Sequence, residues 1–176
     1  MSATIRLATA ADASALSELA ARTFSDTFAE FNSREDMGRF LEDNFSPSKQ
    51  AAEIADRGYT VLLAEVLTAD GRPELAGYAQ MVRGPAPASV RGPVPIEIKR
   101  IYVAKQWHGQ RVAQALMDAA IDSARKSDAR TIWLGVWERN PRAVAFYKKY
   151  GFERVGEHVF KLGSDEQTDW LLARPL

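Results

Sequence analysis

The chain contains no cysteine among its 176 residues. A thiolate nucleophile, a disulfide framework and a thiolate metal site are therefore excluded, and any acyl transfer must proceed without a cysteinyl intermediate. The sequence also lacks an apolar run near the ~20 residues that span a membrane, and it lacks a basic leader followed by an apolar core. We therefore expect a cytoplasmic protein with no membrane partner.

The chain also lacks net charge, because 23 basic and 23 acidic residues give a formal charge of zero. Both signs are interspersed along the sequence, so we expect no nucleic-acid partner. At 176 residues and 46% hydrophobic, the chain is long enough for one domain with a full core and too short for two. We predict a single domain over residues 1–176.

Neither common nucleotide-binding loop is present, since the sequence contains no G-x-x-x-x-G-K-S/T and no G-x-G-x-x-G. Residues 98–113, IKRIYVAKQWHGQRVA, nevertheless have the pattern of an apolar strand that leads into a glycine-marked loop and then a helix. The start of a helix offers unpaired N–H groups and the positive end of the helix dipole. This segment therefore predicts a binding site for an anion such as a phosphate.

Hydrophobic periodicity and turn signals predict alternating helices and strands. An Asp-Gly pair at 70–71 indicates a hairpin, Gly58 is expected to close the third helix, and residues 84–95 are expected to form an irregular loop. This order fits a three-layer α/β domain with a mixed sheet. The predicted strands are 4–8, 59–67, 74–82, 96–103, 131–136, 152–160 and 169–173, and the predicted helices are 13–24 after a start signal at 9–12, 33–44, 48–56, 111–126 and 141–150.

Two motifs in this frame resemble those of the GNAT superfamily of acyl-CoA-dependent N-acetyltransferases. The family's loop pattern Q/R-x-x-G-x-G/A falls on residues 108–113, where His108 replaces Gln or Arg, Arg111 replaces Gly, and Ala113 fits. A second pattern, N-x-x-A-x-x-F/L-Y before a closing G-F, falls on residues 140–152 and is matched throughout. Because both occur in the family's order, separated by a helix of suitable length, the sequence is identified as a member of this superfamily.

The resemblance implies the three-layer GNAT fold, with a mixed and mostly antiparallel central sheet of about seven strands flanked by helices. It also implies transfer of an acetyl group from acetyl-CoA to a small-molecule amine by direct transfer in a ternary complex, with no metal, and it implies a homodimer. The tail, residues 155–176, is similar to that of a bacterial subgroup that includes polyamine N-acetyltransferases. This similarity suggests a small amine, such as a polyamine, as the acceptor.

The resemblance further implies roles for individual residues. The backbone of residues 110–113 would hold the pyrophosphate, with Lys105, His108 and Arg111 adding positive charge. The pantetheine arm would lie as an extra strand between residues 101–103 and 132–136. The implied catalytic residues are Tyr147, as the acid that protonates the thiolate, and Glu97, as the base. The implied cofactor-binding residues are Ile101, Tyr102, Val103, His108, Gly109, Gln110, Arg111, Val112, Ala113, Asn140, Ala143 and Tyr147.

Several residues keep a second interpretation. Glu97 is equally consistent with an exposed strand residue or with an ion-pair partner of Lys99 or Arg100. His158 has no acid or nucleophile at a recognisable spacing, so we interpret it as structural or as facing the substrate. A set of aromatic and acidic residues in the first two helices is interpreted mainly as packing, with a cation-binding wall of the acceptor pocket as the alternative. This set is Phe24, Phe28, Phe31, Asp26, Glu30, Glu35 and Asp36.

The departures of His108 and Arg111 from the loop motif also leave a non-enzymatic alternative. In that alternative the protein is an acyl-CoA-binding sensor or regulatory protein with degenerate catalysis. A third alternative is an oligomeric scaffold without a ligand. The presence of Tyr147 and Asn140 in the second motif favours the enzyme.

Overall fold

The computed structural model describes residues 3–163 and 165–176. Its strands are β1 (Thr4–Leu7), β2 (Tyr59–Leu67), β3 (Pro73–Arg83), β4 (Pro95–Val103), β5 (Thr131–Trp137), β6 (Glu153–Leu162) and β7 (Asp165–Pro175). They form one seven-stranded sheet in the order β1-β2-β3-β4-β5-β7-β6. All neighbours are antiparallel except the parallel pair β4 and β5. The predicted mixed and mostly antiparallel sheet is therefore confirmed.

The five α-helices are α1 (Ala13–Phe28), α2 (Arg34–Phe45), α3 (Pro47–Ala55), α4 (Val112–Lys126) and α5 (Pro141–Lys149). Short 3-10 turns at 10–12, 29–31 and 105–107 precede or follow them. None of the helices in the described ranges is long and apolar enough to cross a membrane.

The helices divide between the two faces of the sheet. On the face that we name the front, Gln80 of β3 contacts Glu53 of α3, and Tyr102 of β4 packs against Phe24 of α1. On the back face, α4 packs against Gly77 of β3, where an added Cβ would meet the Leu116 side chain at 3.1 Å. The Tyr150 hydroxyl of α5 contacts a carbonyl of α4. The result is a three-layer arrangement, with α1 to α3 in front and α4 and α5 behind.

Most predicted boundaries differ from the observed ones by one or two residues, but two expectations need correction. The third helix ends at Ala55 with Asp56 in an extended conformation (ψ 123), and it has no left-handed glycine cap. Gly58 instead donates its amide to the Asp56 side chain at 2.7 Å. The last strand extends well beyond the predicted 169–173, because its pairing with β5 and β6 is set by long-range contacts that its own pattern does not reveal.

A buried polar network anchors β4 to α3. The Glu53 carboxylate, 3% exposed as a residue, accepts hydrogen bonds from Arg100 at 2.9 Å and Lys99 at 3.0 Å. Arg100 also donates to Gln80 at 2.6 Å. The ladder with β3 skips one residue at this point, since Met81 pairs with Ile98 and Gln80 pairs with Arg100. Lys99 is therefore a bulge, and both cations at the bulge are fixed by one buried acid.

Candidate active site

The two parallel strands of the sheet pair only at their beginnings. Their last partners are Glu97 of β4 and Trp133 of β5. Beyond this point β4 stays paired with β3 as far as Val103, and β5 stays paired with β7 as far as Trp137. The facing edges of residues 98–103 and 134–137 are therefore left without ladder bonds to each other. This gap, which we name the slot, suits an extended ligand whose amides can pair with strand edges.

A helix start lies at the end of the slot, because a short turn links β4 to α4. Arg111 caps α4 in a left-handed conformation (φ 63, ψ 13), and Gly109 has φ 79. The first helical bond runs from the Ala115 amide to the Arg111 carbonyl at 3.0 Å. The amides at 112–114 consequently have no partner within the helix and are available to an anion. These free amides lie where the sequence predicts a phosphate site, although the motif glycine there is an arginine, and we name residues 109–114 the cradle.

His108 connects this cradle to two other elements. Its Nε2 atom lies 2.8 Å from the carbonyl oxygen of Val103, so Nε2 carries the proton and donates. Its Nδ1 atom lies 3.3 Å from the guanidinium of Arg142 in the first turn of α5. Arg142 is thus a second cation at the cradle, and the sequence analysis did not name it. Lys105, which was named, pairs instead with Asp26 of α1 at 3.3 Å.

Asn140 and Tyr147 lie on α5, which follows the other strand of the slot. The Asn140 side-chain oxygen accepts the Ala143 amide at 3.2 Å and so caps the helix, and its Nδ2 group can donate to a ligand. Tyr147 is 8% exposed, and its hydroxyl has no hydrogen-bond partner among the described residues. Burial, and secondarily the nearby Tyr102, raises the pKa of Tyr147 well above its ordinary value. Its hydroxyl is therefore protonated at neutral pH and can donate to a ligand.

Glu97 lies on the front face at the point where the slot opens. Burial raises its pKa above the ordinary value, with Lys99, His158 and Arg100 acting in the opposite direction. Lys99 and Arg100 both form ion pairs with Glu53. The structure therefore contradicts the alternative in which Glu97 is their ion-pair partner. No described residue forms a hydrogen bond or close ion pair with the Glu97 carboxylate. Its oxygens are available to an acceptor or a water molecule.

Comparison with known proteins identifies the family to which this chain belongs. The model of the acetyltransferase (GNAT) family matches residues 15–152. The chain belongs to the GNAT family. An uncharacterized N-acetyltransferase of Lactobacillus delbrueckii subsp. lactis is 40% identical over 154 residues, which cover 88% of this chain and 86% of the relative. The protein is therefore an enzyme, an N-acetyltransferase.

Solved structures show the same fold. The PaiA N-acetyltransferase of Thermoplasma acidophilum, solved in complex with coenzyme A, superposes with a TM-score of 0.73 at 21% identity and covers 100% of both chains. Mutant forms of the spermidine/spermine N-acetyltransferase SpeG of Vibrio cholerae give a TM-score of 0.63 at 20% identity, with 99% of this chain and 95% of that chain covered. At these identities the likeness establishes the GNAT fold.

The front face of this GNAT domain carries a cavity of about 220 Å³ near the end of β5. Phe31 is 49% exposed and stands edge-on to Trp137, with ring centroids 5.0 Å apart. Phe24 and Phe28 are buried, as the packing interpretation predicts, whereas Phe31 contributes to the cavity wall. The lining residues are Phe31, Trp137, Glu138, Arg139, Glu166, Gln167 and Thr168.

The acids of this cavity are not the ones that sequence reasoning named. Asp26 pairs with Lys105 and Glu35 pairs with Arg39 at 2.6 Å, while Glu30 and Asp36 are not among the lining residues. Two other acids, Glu138 and Glu166, line it. Neither lies in a helix, and the sequence carried no motif that would have singled them out.

His158 of β6 and Asp169 of β7 are a further pair that the sequence did not associate. They are register partners, and the His158 Nε2 atom lies 3.7 Å from the Asp169 Oδ2 atom. Burial raises the pKa of Asp169, and His158 partly offsets this. The β6–β7 hairpin keeps one continuous register from Leu162 and Asp165 to His158 and Asp169, which places the two side chains on the same face.

Proposed function

We propose that this GNAT domain, spanning residues 1–176, transfers the acetyl group of acetyl-CoA to a primary amine of a small cationic acceptor in a ternary complex. The observation that carries the proposal is the slot that opens between β4 and β5 after Glu97 and Trp133. The slot ends at the cradle on one side and has the buried Tyr147 on the helix behind it. No other strand pair in the described sheet parts in this way.

The slot and the cradle match the parts of the donor. The pyrophosphate would bind the free amides at 112–114, and Arg111 and Arg142 would supply charge-assisted contacts. The pantetheine arm carries amides that can pair with the free edge of β4 along residues 101–103. A strand N–H near Ile101 or Val103 would then polarise the thioester carbonyl, and a fixed donor of this kind contributes about 3 kcal/mol to the transition state.

The chemistry requires a neutral amine and a stabilised leaving group. An alkylammonium with an ordinary pKa of ~10.4 must lose its proton at a cost of roughly 4 to 5 kcal/mol at neutral pH. Glu97, half-buried and without an ion-pair partner, would receive that proton directly or through water. The amine then attacks the thioester carbon, and the C–S bond breaks as the tetrahedral intermediate collapses.

Tyr147 would act on the sulfur that leaves. Because its pKa is raised, complete transfer of its proton to a thiolate is uphill, since an ordinary thiol has a pKa of ~8.5. Tyr147 therefore stabilises the thiolate chiefly by donating a hydrogen bond, and solvent restores any proton it gives up. The net reaction converts acetyl-CoA and an ammonium into CoA, an amide and one proton.

The front-face cavity supports a cationic acceptor. Glu138 and Glu166 provide negative charge, and Phe31 and Trp137 provide aromatic faces that attract cations. Arg139 also lines the cavity, and Glu166 pairs with Lys161 at 2.7 Å. The cavity wall therefore carries negative and positive charges at separate positions. We infer that an acceptor with separated cationic groups, such as a polyamine, fits this pattern best.

The test is CoA release from acetyl-CoA with spermidine, spermine, an aminoglycoside, amino acids and a lysine peptide as acceptors. Tyr147→Phe should lower kcat by about 10²-fold with little change in the KM for acetyl-CoA. Tyr150→Phe is the matched control, because Tyr150 caps the C-terminus of the same helix and its hydroxyl faces α4, where it contacts the Gln114 carbonyl at 3.3 Å and interacts with the Asp118 side chain. Tight acetyl-CoA binding with no release for any acceptor would contradict the transfer reaction and support the sensor.

A further inference from the structure

His158 and Asp169 lie over a glycine of the neighbouring strand. A Cβ atom added to Gly135 of β5 would lie 3.4 Å from Asp169 Oδ2 and 3.6 Å from His158 Nε2. Because Gly135 has no side chain, the imidazole and the carboxylate can lie directly over the backbone of β5. The His158 side chain therefore extends from β6 across β7 to β5, and the Asp169 side chain extends from β7 to β5, both toward the slot.

Gly135 lies beside the slot, because it is two residues beyond Trp133, the last residue of β5 that pairs with β4. Side chains alternate along a strand, so the free side of Gly135 is on the same face as the Trp133 side chain. Paired residues share a face, and Trp133 pairs with Glu97, which pairs with Val82. Val82 is two positions from Gln80, which is on the front face, so this face is the front. The His158 nitrogen thus lies in front of the sheet where the slot first opens.

We propose that His158 is a further catalytic residue, which accepts the proton of the acceptor ammonium in place of the Glu97 carboxylate, and that Asp169 and Glu97 stabilise the imidazolium formed. The inference rests on the proposed acetyl transfer. In this step an N–H bond of the ammonium breaks, its electron pair stays on the amine nitrogen, and the proton binds His158 Nε2. The freed lone pair then attacks the thioester carbon, and the imidazolium later returns its proton to solvent.

The charges around His158 favour this role. Asp169 of β7 lies 3.7 Å from the accepting nitrogen, and Glu97 of β4 interacts electrostatically with the imidazole from the other side of the slot. The nearest cations of β4, Lys99 and Arg100, are held by Glu53. Two carboxylates therefore face the imidazole, and both stabilise its protonated form.

Geometry and accessibility agree with the role. The His158 side chain is 44% exposed, so an acceptor or a water molecule can reach Nε2, whereas the Asp169 side chain is 16% exposed and is held in place. Imidazole is the side chain that most often serves as a general base, and it can accept a proton from the acceptor directly or through one water molecule.

The experiment compares the pH dependence of kcat/KM for the amine in wild type, His158→Ala and Glu97→Gln. We expect His158→Ala to lower kcat/KM about 10²-fold near pH 7 while the Kd for acetyl-CoA is unchanged. The deficit should shrink as the pH approaches the pKa of the acceptor, since the amine then arrives neutral. Added imidazole should restore part of the activity. Glu157→Gln is the matched control, because Glu157 is the neighbouring residue and pairs with Arg154 at 2.6 Å.

Three results would overturn the role of His158. The first is a His158→Ala variant that keeps the wild-type rate and pH profile. The second is a deficit that is the same at every pH and does not respond to imidazole, in His158→Ala and in His158→Asn alike. The third is a deficit near pH 7 that appears in Glu97→Gln alone. Failure of wild type to release CoA with any acceptor would instead refute the transfer reaction itself, and this role with it.

Discussion

Replacing Arg111 by glycine separates two properties of the phosphate cradle, its backbone conformation and its charge. Arg111 has φ 63, a left-handed conformation that costs an L-residue about 1–2 kcal/mol. Glycine removes that cost but loses about 0.5–1 kcal/mol through the greater entropy of its unfolded chain. The difference is a stabilisation of about 0.5 kcal/mol, which for a chain of this size raises the Tm by about 1–2 °C.

The same substitution removes a cation from the anion site. An exposed ion pair contributes about 0.2–1 kcal/mol, so we expect the Kd for acetyl-CoA to rise about 1.4- to five-fold. Arg111→Lys keeps the charge and the strained backbone, so it should leave both the Tm and the Kd close to wild type. Thermal unfolding without ligand and calorimetric titration with acetyl-CoA measure the two effects separately.

Asp128 provides the matched control at the other end of the same helix. It also has a left-handed conformation, with φ 61, but it lies away from the cradle. Asp128→Gly should therefore stabilise the protein, by less than Arg111→Gly because aspartate tolerates this conformation better, and should leave the Kd unchanged. The reasoning is refuted if Arg111→Gly lowers the Tm by several degrees, or if its Kd for acetyl-CoA equals that of wild type.

Two further substitutions test the interior and the leaving-group site. Glu53→Ala should destabilise the fold by about 3–5 kcal/mol in urea unfolding, because it leaves Lys99 and Arg100 without their buried partner. Although burial acts to raise the pKa of Glu53, Arg100 and Lys99 outweigh it and hold the pKa below 4.5. The stabilisation is therefore present above pH 4.5 and is lost as the pH falls through the lower folded-state pKa, and an acid titration of wild type against Glu53→Ala should show it. Tyr147→Phe should lose activity equally at pH 7 and pH 9, because burial keeps its hydroxyl protonated across that range, and a pH-dependent loss would contradict this.

Local patterns were sufficient for most of the fold. The Asp70-Gly71 turn appears with Gly71 at φ 78, and the helix predicted from residue 33 begins where the Ser33 side chain accepts the Asp36 amide. These features depend on residues within four positions of each other, so the sequence carries them directly. The parting of β4 and β5 is different, because the bulge beside it is fixed by Glu53, a residue more than forty positions earlier in the chain. Only the resemblance to known acetyltransferases indicated the slot.

The candidate site divides in the same way. His108, Arg111, Asn140 and Tyr147 lie on contiguous motifs and were predicted, although their contacts were not. His158 and Asp169 meet through the register of the β6–β7 hairpin, and Glu138 and Glu166 line one cavity because β7 pairs with β5. No short window of sequence specifies either pairing.

The bulge at Lys99 links the buried network to the position of the slot. A bulge bends its strand and increases the local twist, and this one falls two residues after the last pair that β4 makes with β5. Lys99 and Arg100 can both contact Glu53 only because the bulge brings consecutive side chains to the same face. The ion pairs therefore fix the bulged conformation of β4 beside the point where its pairing with β5 ends. Through these ion pairs α3 supports β4 from the front face, next to the position where the slot begins.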